Sequence, residues 1–175
     1  MELFRIEEGN HYASGLNFKP FWSLTRISFS TILYENCMYD LGNLNNMDIN
    51  KIYGVTFGLD QDNNSFRIGW NCYKQNGLLQ YHYYAHNQGV RNPAPNDPYD
   101  KALLFEAPSS EQHRFDIILN RKDNEIAVMS DLDTELAKTK RVPFNFSGVP
   151  TWGRYNFPYF GGDEVAQHNM DIIII

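Results

Sequence analysis

The chain has 175 residues, 15% of them aromatic, and a formal net charge of -6 at pH 7. This length suits one domain with its own core and is short for two, so we expect a single domain over residues 1–175. The acidic balance gives the phosphate backbone of nucleic acids no attractive field, and nucleic acid is therefore not an expected partner. A membrane is not expected either, because the terminal apolar run, Ile172 to Ile175, is far shorter than the roughly 20 residues of a membrane helix.

Apolar and polar residues alternate through most of the chain, and no window of helical length shows the helical period. The first alternating run, Ile27 to Leu33, has the pattern of a strand with one buried face. Aromatic rings pack well on a pleated surface, so the aromatic share also favours strands. The pattern predicts an all-β domain.

Two hairpins are predicted in the middle of the chain. Phe66 to Cys72 and Leu78 to His86 flank an Asn-Gly step, which favours a tight turn. Farther on, Phe115 to Leu119 and Ile126 to Val128 flank a second polar stretch with turn-forming residues.

Two closing strands, Arg154 to Phe160 and Asn169 to Ile175, are predicted near the end of the chain. Two long segments interrupt the alternation and are interpreted as connections. Met38 to Lys51 is rich in Asn and Asp, and a short helical turn is predicted to begin near Asp48. Gly89 to Asp100 contains three prolines, which exclude a central strand, so it is predicted to be an exposed loop. The prolines are Pro93, Pro95 and Pro98.

The sequence shows no catalytic or metal-binding motif. It lacks the Gly-x-Ser-x-Gly elbow of Ser/His/Asp hydrolases. His82 and His86 lie in a strand pattern, where four residues span roughly 13 Å, too far for two side chains to share one zinc ion. Asp60, Asp62 and Asn64 match the first positions of a calcium loop, but its Gly and its closing Glu are replaced. We therefore expect no catalytic residues, no metal and no other cofactor.

Two pairs of residues depend on the fold. Asp116 and Glu125 could face each other across the second hairpin as a carboxylate pair, but with 21 acidic residues such a pair is expected by chance. Cys37 and Cys72 could form a disulfide only if their Cα atoms approach within about 7 Å. Free, buried thiols are the favoured interpretation.

One face of the first hairpin gathers the candidate ligand-binding residues. Its polar and aromatic side chains belong to Arg67, Asn71, Tyr73, His82, Tyr84 and His86. If this face is open, it offers rings that stack on sugars and planar donors for their hydroxyls. If it packs under a loop or a neighbouring subunit, the same residues are structural, and this second interpretation is the favoured one.

Three stretches carry a resemblance to known sequences: Tyr39 to Gly54, Ser65 to Tyr73, and the C-terminal FPYFGGDEVAQHNMDIIII. They resemble a group of uncharacterised proteins of Bacteroidota and of the tailed, crAss-like phages that infect them. The resemblance implies a two-sheet antiparallel jelly-roll sandwich of the concanavalin A-like lectin and glucanase type, with the chain termini paired in one sheet. It supplies no assigned activity, so no catalytic residue can be carried over.

The functional expectation follows from these points. The leading hypothesis is a non-catalytic module, a virion structural or decoration protein that works through protein contacts, by self-assembly or with capsid or tail proteins, and through glycan binding. The alternative is a polysaccharide lyase, a glycoside hydrolase or a lectin-like carbohydrate-binding module. The compartment stays open: the N-terminus lacks the pattern of a secretory signal, which favours a virion or the cytoplasm of the producing cell. Because Ile172 to Ile175 cannot all face one core, we expect a strand buried on both sides or an edge that joins a neighbour.

Overall fold

The computed structural model describes residues 1–14, 18–95, 97, 99–131 and 138–175. Pro98, one of the three prolines of the predicted loop, lies outside the described residues. The described residues form thirteen β-strands and three short 3₁₀ turns. The strands are β1 (Glu2–Ile6), β2 (Pro20–Trp22), β3 (Arg26–Leu33), β4 (Asn50–Phe57), β5 (Asn64–Asn71), β6 (Leu79–Asn87), β7 (Val90–Asn92), β8 (Leu103–Ala107), β9 (Gln112–Asn120), β10 (Glu125–Ser130), β11 (Lys138–Pro143), β12 (Trp152–Asn156) and β13 (Met170–Ile174). The turns are Glu35–Cys37, Leu44–Met47 and Tyr99–Lys101.

The strands form two antiparallel sheets that pack face to face. The first sheet has the order β1-β13-β3-β9-β10-β11. The second has the order β2-β12-β4-β5-β6-β7, with β8 also paired to β6. The first and last strands of the chain pair along their whole length, from Glu2 with Ile174 to Ile6 with Met170. The protein is thus an antiparallel jelly-roll sandwich of the concanavalin type, as predicted.

Aromatic side chains from the inner faces of the two sheets pack against one another in the core, among buried aliphatic residues. Phe29 of the first sheet packs on Tyr53 of the second with ring centroids 5.1 Å apart, and Phe115 lies 5.9 Å from Tyr81. Trp70 is fully buried, and its indole nitrogen donates to the Cys37 carbonyl oxygen at 3.1 Å. This is how a buried Trp satisfies its one polar group.

Both predicted hairpins are confirmed. β5 and β6 pair from Asn64 with Asn87 to Asn71 with Gln80, and β9 pairs with β10. The proposed carboxylate pair is wrong, however. In the actual register, Glu125 lies opposite Asn120 and Asp116 lies opposite Met129, so the two carboxylates are far apart along the hairpin.

Three local predictions need correction. The helical turn begins before Asp48, at Leu44, because the Asn43 side chain accepts from the Asn45 amide at 2.8 Å and caps the turn there. The strand predicted from Arg154 to Phe160 runs only over Trp152–Asn156. The predicted Gly89 to Asp100 loop opens with the short edge strand β7.

The four terminal isoleucines belong to an interior strand. β13 lies between β1 and β3, which corrects the interpretation of the terminal run as an edge that joins a neighbour. Ile172 and Ile174 point into the core, whereas Ile173 is half-buried on the outer face and Ile175 is exposed. The strand is therefore covered mainly on one side.

The two cysteines are free and buried. Burial raises the pKa of both thiols, that of Cys72 to about 11. Both thiols are therefore protonated near neutral pH, and we assign them to packing. Among the residues described, no helix is long and apolar enough to cross a membrane.

Candidate functional site

The candidate site lies on the outer face of the second sheet, the side turned away from the core. Residues alternate across a strand, so every second residue of β5 and β6 points to this face. The pairing places Arg67 directly opposite Tyr84, and Gly69 opposite His82. Loops cover much of this face: Asn71, His82, Arg67 and Tyr84 are all buried.

A β-bulge in β4 adds Lys51 to the same face. The register between β4 and β5 shifts between Lys51 and Tyr53, so that Ile52 is an extra residue in the strand. Without the bulge, the alternation that points Tyr53 inward would point Lys51 inward too. With it, Ile52 packs in the core and Lys51 pairs with Gly69 on the outer side.

Three adjoining cavities form a groove across this face, and we call them the first, middle and third cavities. The first has a volume of about 250 Å³ and is lined by Tyr12, Phe18, Gln61, Arg67, Arg154, Tyr155, Asn156, Phe157 and Tyr159. The middle one, about 290 Å³, is lined by Asp48, Lys51, Gln61, Asp62, Arg67, Tyr84, Arg91, Tyr159, Gly162 and Asp163. The third, about 260 Å³, is lined by Leu44, Met47, Asp48, Ile49, Asn71, His82, Arg91, Pro93, Ala94, Pro95 and Asp97. Shared residues join them: Arg67 lines the first two cavities, and Arg91 lines the last two.

The middle cavity is built around the ring of Tyr84. The Lys51 ammonium lies 4.3 Å from the ring centroid, and the guanidinium carbons of Arg67 and Arg91 lie 5.3 and 5.2 Å from it. Lys51 is also 5.4 Å from the ring centroid of Tyr159. Cations are attracted to the face of an aromatic ring at such distances, so the rings hold these side chains in place.

Burial and repulsion by the neighbouring guanidinium groups disfavour the charged form of Lys51. Burial, followed by the charges of Arg67 and Arg91, lowers the pKa of Lys51 to about 7. Asp48 and Asp62 act in the opposite direction, but not strongly enough to offset it. The pKa of Asp48 is raised by its own burial. Lys51 is therefore an amine that gains and loses its proton near neutral pH.

The floor of the third cavity consists of uncharged side chains, His82 and Asn71, which are held by hydrogen bonds. His82 Nε2 donates to Asn71 Oδ1 at 3.2 Å, and the Asn71 amide donates to the Met47 carbonyl oxygen at 3.1 Å. Burial lowers the pKa of His82 to about 3, so the ring stays neutral over the physiological range. These two side chains connect the sheet to the loop above it.

The groove thus brings together four of the six residues singled out from sequence: Arg67, Tyr84, Asn71 and His82. His86 lines none of the three cavities; its Nδ1 lies 3.3 Å from Asp62 Oδ1 and its Nε2 3.4 Å from the Tyr84 hydroxyl. Tyr73 follows the end of β5 and lines none of the three cavities. A ligand-binding role for any of the six stays a prediction.

Sequence reasoning missed Lys51, Arg91 and Tyr159. The sequence pattern puts Lys51 at the end of a loop, because the bulge breaks the alternation of β4 at that point. Arg91 pairs with His86 through the three-residue strand β7, which is too short to show a period. Tyr159 reaches the site through a single bridge to Lys51, and no local sequence signal marks such a contact.

Exposed aromatic rings lie beside the first cavity. Trp22 and Trp152 are register partners on β2 and β12, with 72% and 42% of their surface exposed. Trp152 is two residues before Arg154, so both point to the outer face. Tyr12 and Phe18, which line the cavity itself, are 59% and 68% exposed.

Comparison with known proteins gives similarities of fold only. No family model matches the chain, and no curated protein does. Among solved structures, the chain is similar to the CBM40 of the Ruminococcus gnavus IT-sialidase bound to alpha2,3 sialyllactose, at 10% identity, a TM-score of 0.37 and coverage of 97% of this chain and 88% of that one. It is also similar to arcelin-5, a lectin-like defense protein from Phaseolus vulgaris, at 9% identity, a TM-score of 0.39 and coverage of 99% and 73%. At these TM-scores the likenesses carry no argument about function, and the predicted origin in Bacteroidota or their phages stays a prediction.

Proposed function

We propose that the protein is a carbohydrate-binding module whose ligand occupies the groove on the outer face of the second sheet. The observation that carries this proposal is the arrangement of the first cavity, where exposed aromatic rings adjoin planar polar side chains on one sheet face. Sugars are bound in proteins by rings that stack on their apolar faces and by donors that reach their hydroxyls.

The chemistry of the first cavity supports this assignment. The Arg154 guanidinium lines it and makes no hydrogen bond or ion pair with the part of the chain that the structure describes. Asn156 already bonds Thr56 in both directions, at 3.0 and 2.9 Å, so its amide is fixed in orientation. A sugar on Tyr12 or Phe18 would thus meet a fixed amide and a guanidinium with free donors.

Glycan-array screening followed by titration calorimetry tests the proposal. Truncating Phe18 or Tyr12 to Ala removes a stacking surface, so affinity should fall roughly five- to tenfold, in line with about 1 kcal/mol for an aromatic contact. Leu3→Ala is the matched control, because Leu3 is 59% exposed on the first sheet, away from the groove. Absence of binding across neutral and acidic glycans would refute the proposal.

A polysaccharide lyase is the second candidate, and Lys51 is the observation that favours it. At neutral pH, an amine whose pKa is near 7 can take the C5 proton of a uronate, whose carboxylate the adjacent Arg67 could neutralise. The C4–O glycosidic bond then breaks, a C4=C5 double bond forms, and the leaving oxygen takes a proton from water. Unsaturated products from uronate polysaccharides, followed by their ultraviolet absorbance, would establish this activity. Clean binding without such products is what the module predicts.

The virion role predicted from the sequence resemblance is compatible with a glycan-binding module, since a decoration protein can act by binding sugars. The geometry of the groove does not support or oppose a virion role. Mass spectrometry of purified virions measures it directly, and consistent absence of the chain from particles would contradict it.

A further inference from the structure

We infer that the middle cavity is a subsite for an anionic group on the sugar, a carboxylate or a sulfate ester. This inference rests on the proposed function and names the class of glycan: acidic rather than neutral. The residues that form the subsite are Lys51, Arg67 and Arg91, which we call the basic cluster.

Each member of the basic cluster lacks an acidic partner. Among the residues that the structure describes, no carboxylate oxygen lies within 4.0 Å of any of the three. The Nε atoms of Arg67 and Arg91 are buried and have no hydrogen-bond partner. Arg67 makes one long hydrogen bond, 3.4 Å from its terminal nitrogen to the Ser65 hydroxyl. Buried donors without partners cost stability, and a ligand that accepts from them accounts for their presence.

Other basic residues of the chain show what ordinary pairing looks like. Arg5 contacts Asp171 at 2.7 Å, Arg26 contacts Asp116 at 2.8 Å, and Arg141 contacts Glu125 at 2.6 Å. The protein has 21 acidic residues against 15 Lys and Arg, so acids are not scarce. The lack of ion pairs in the basic cluster is therefore not explained by a shortage of acidic residues.

Nearby acids do not fill the subsite. Asp62 pairs with His86 at 3.3 Å, and its side chain is 73% exposed. Asp163 is exposed at the rim of the cavity. Asp48 is adjacent to Gly162, where an added Cβ would lie 2.0 Å from Asp48 Oδ2. Long-range attraction from these acids moderates the positive charge without supplying the missing hydrogen bonds.

The position of the cluster determines how an acidic sugar would lie. The ring of Tyr84 contacts all three cations and is itself buried, so it is not the stacking surface. Tyr159 lines both the first and the middle cavities, as Arg67 does. A sugar ring in the first cavity, near Tyr12 and Tyr159, could therefore place its anionic substituent on Arg67 and Lys51.

Calorimetric titration with matched oligosaccharides tests the subsite. The ligands share one backbone and carry a uronate carboxylate, the same unit reduced to the neutral alcohol, or a sulfate ester. Lys51→Met, Arg67→Met and Arg91→Met should each weaken binding of the acidic ligand roughly thirtyfold or more, because each removes a desolvated charge partner. Binding of the neutral ligand should weaken far less in Lys51→Met and Arg91→Met, because neither residue lines the first cavity. Arg141→Met, in the first sheet, is the control, and thermal melting confirms that each variant folds.

Proton uptake on binding is a second test, because Lys51 would not take up a proton if its role were purely structural. An anion on Lys51 favours its charged form, so binding at pH 8 should take up a proton, seen as a dependence of the heat on the buffer. The charged and titratable groups that face Lys51 are Asp48, Asp62, Arg67, Tyr84, Arg91, Tyr159 and Asp163. The signal should vanish in Lys51→Met and be absent for the neutral ligand.

The outcomes separate the inference from the proposed function. Equal affinity for the acid and its neutral alcohol would overturn the subsite and leave glycan binding intact. Binding of inorganic sulfate that depends on Lys51 and Arg67, with no glycan bound, would support the subsite and refute the sugar assignment. Preference for either the uronate or the sulfate ester identifies the source of the anion.

Discussion

Lys51 shows how a single buried side chain can make the stability of the fold depend on pH. Its ammonium is buried among two guanidinium groups, and its pKa of about 7 lies well below the 10.5 of an ordinary lysine. The unfolded chain therefore binds more protons than the folded protein between about pH 7 and pH 10.5. The buried ammonium lowers the free energy of unfolding. This destabilisation is fully present below pH 7 and disappears as the pH rises from about 7 to 10.5.

The first prediction concerns the pH dependence of stability. The free energy of unfolding of the wild type should rise from pH 7 to pH 9, relative to Lys51→Met, which has no proton to lose. At pH 7 the variant should be more stable by about 1–4 kcal/mol, as when other buried charges are replaced by apolar side chains. Chemical denaturation at several pH values measures both quantities.

The matched control is Lys122→Met, since Lys122 is exposed in the turn between β9 and β10. Its difference from the wild type should be small and nearly independent of pH. A Lys51→Met variant that is less stable than the wild type at pH 7 would contradict the buried-charge interpretation.

Alternation in the sequence correctly placed four of the candidate residues on one face of the sheet, and their role in binding stays a prediction. Arg67 and Asn71 on β5, with His82 and Tyr84 on β6, do share one face, because the hairpin is regular and its register follows from the turn. The same reasoning could not reach Lys51 or Tyr159. Their positions depend on a bulge and on a loop more than 100 residues away along the chain.

At the scale of elements, the junction of β4 and β5 positions the groove. The bulge at Ile52 turns Lys51 outward, and Gly69 faces it from β5. A Cβ on Gly69 would lie 2.0 Å from the Asn50 carbonyl oxygen and 2.6 Å from Ile49 Cγ2. Only a residue without a side chain fits there, so the two strands can approach closely at the bulge.

Gly69→Ala is the second prediction. The added methyl group must displace backbone atoms of β4, so we expect a loss of about 1–3 kcal/mol or more, together with weaker ligand binding because Lys51 moves. Thermal melting and the calorimetric assay measure the two effects. Asn63→Ala, in the exposed turn between the same strands, should leave both nearly unchanged. Full stability in Gly69→Ala would show that the bulge is more adaptable than its geometry implies.

The regular strands with one buried face were predicted well, whereas the eight-residue β4, whose bulge interrupts the alternation, and the short strands β2 and β7 were missed. β3, β5, β6, β9 and β10 each span several alternations, which is enough to reveal the period of two. β2 and β7 have three residues each, so neither can show a period. The pairing partners of such strands are set by the whole sandwich.

At the scale of the whole molecule, the chain ends complete the first sheet. β13 lies between β1 and β3, and the Arg5 side chain on β1 makes two hydrogen bonds to Asp171 on β13, at 2.7 and 2.9 Å. The last strand therefore joins the N-terminal strand to the rest of the sandwich. A role of the terminal isoleucines in assembly would have to use the exposed Ile175 and the half-buried outer face of Ile173.

Removing Met170–Ile175 is the third prediction, and it should unfold the domain. The deletion takes Met170, Ile172 and Ile174 out of the core and leaves β1 and β3 without their shared partner. Each buried Met or Ile contributes about 2–5 kcal/mol, so the combined loss is as large as the typical stability of a domain, about 5–15 kcal/mol. Circular dichroism should show no cooperative thermal transition. Deleting Ile175 alone removes only its backbone pairing with Ser30, so that variant should still melt cooperatively. A cooperative thermal transition in the protein that lacks the whole strand would contradict this prediction and show that β13 is dispensable for folding.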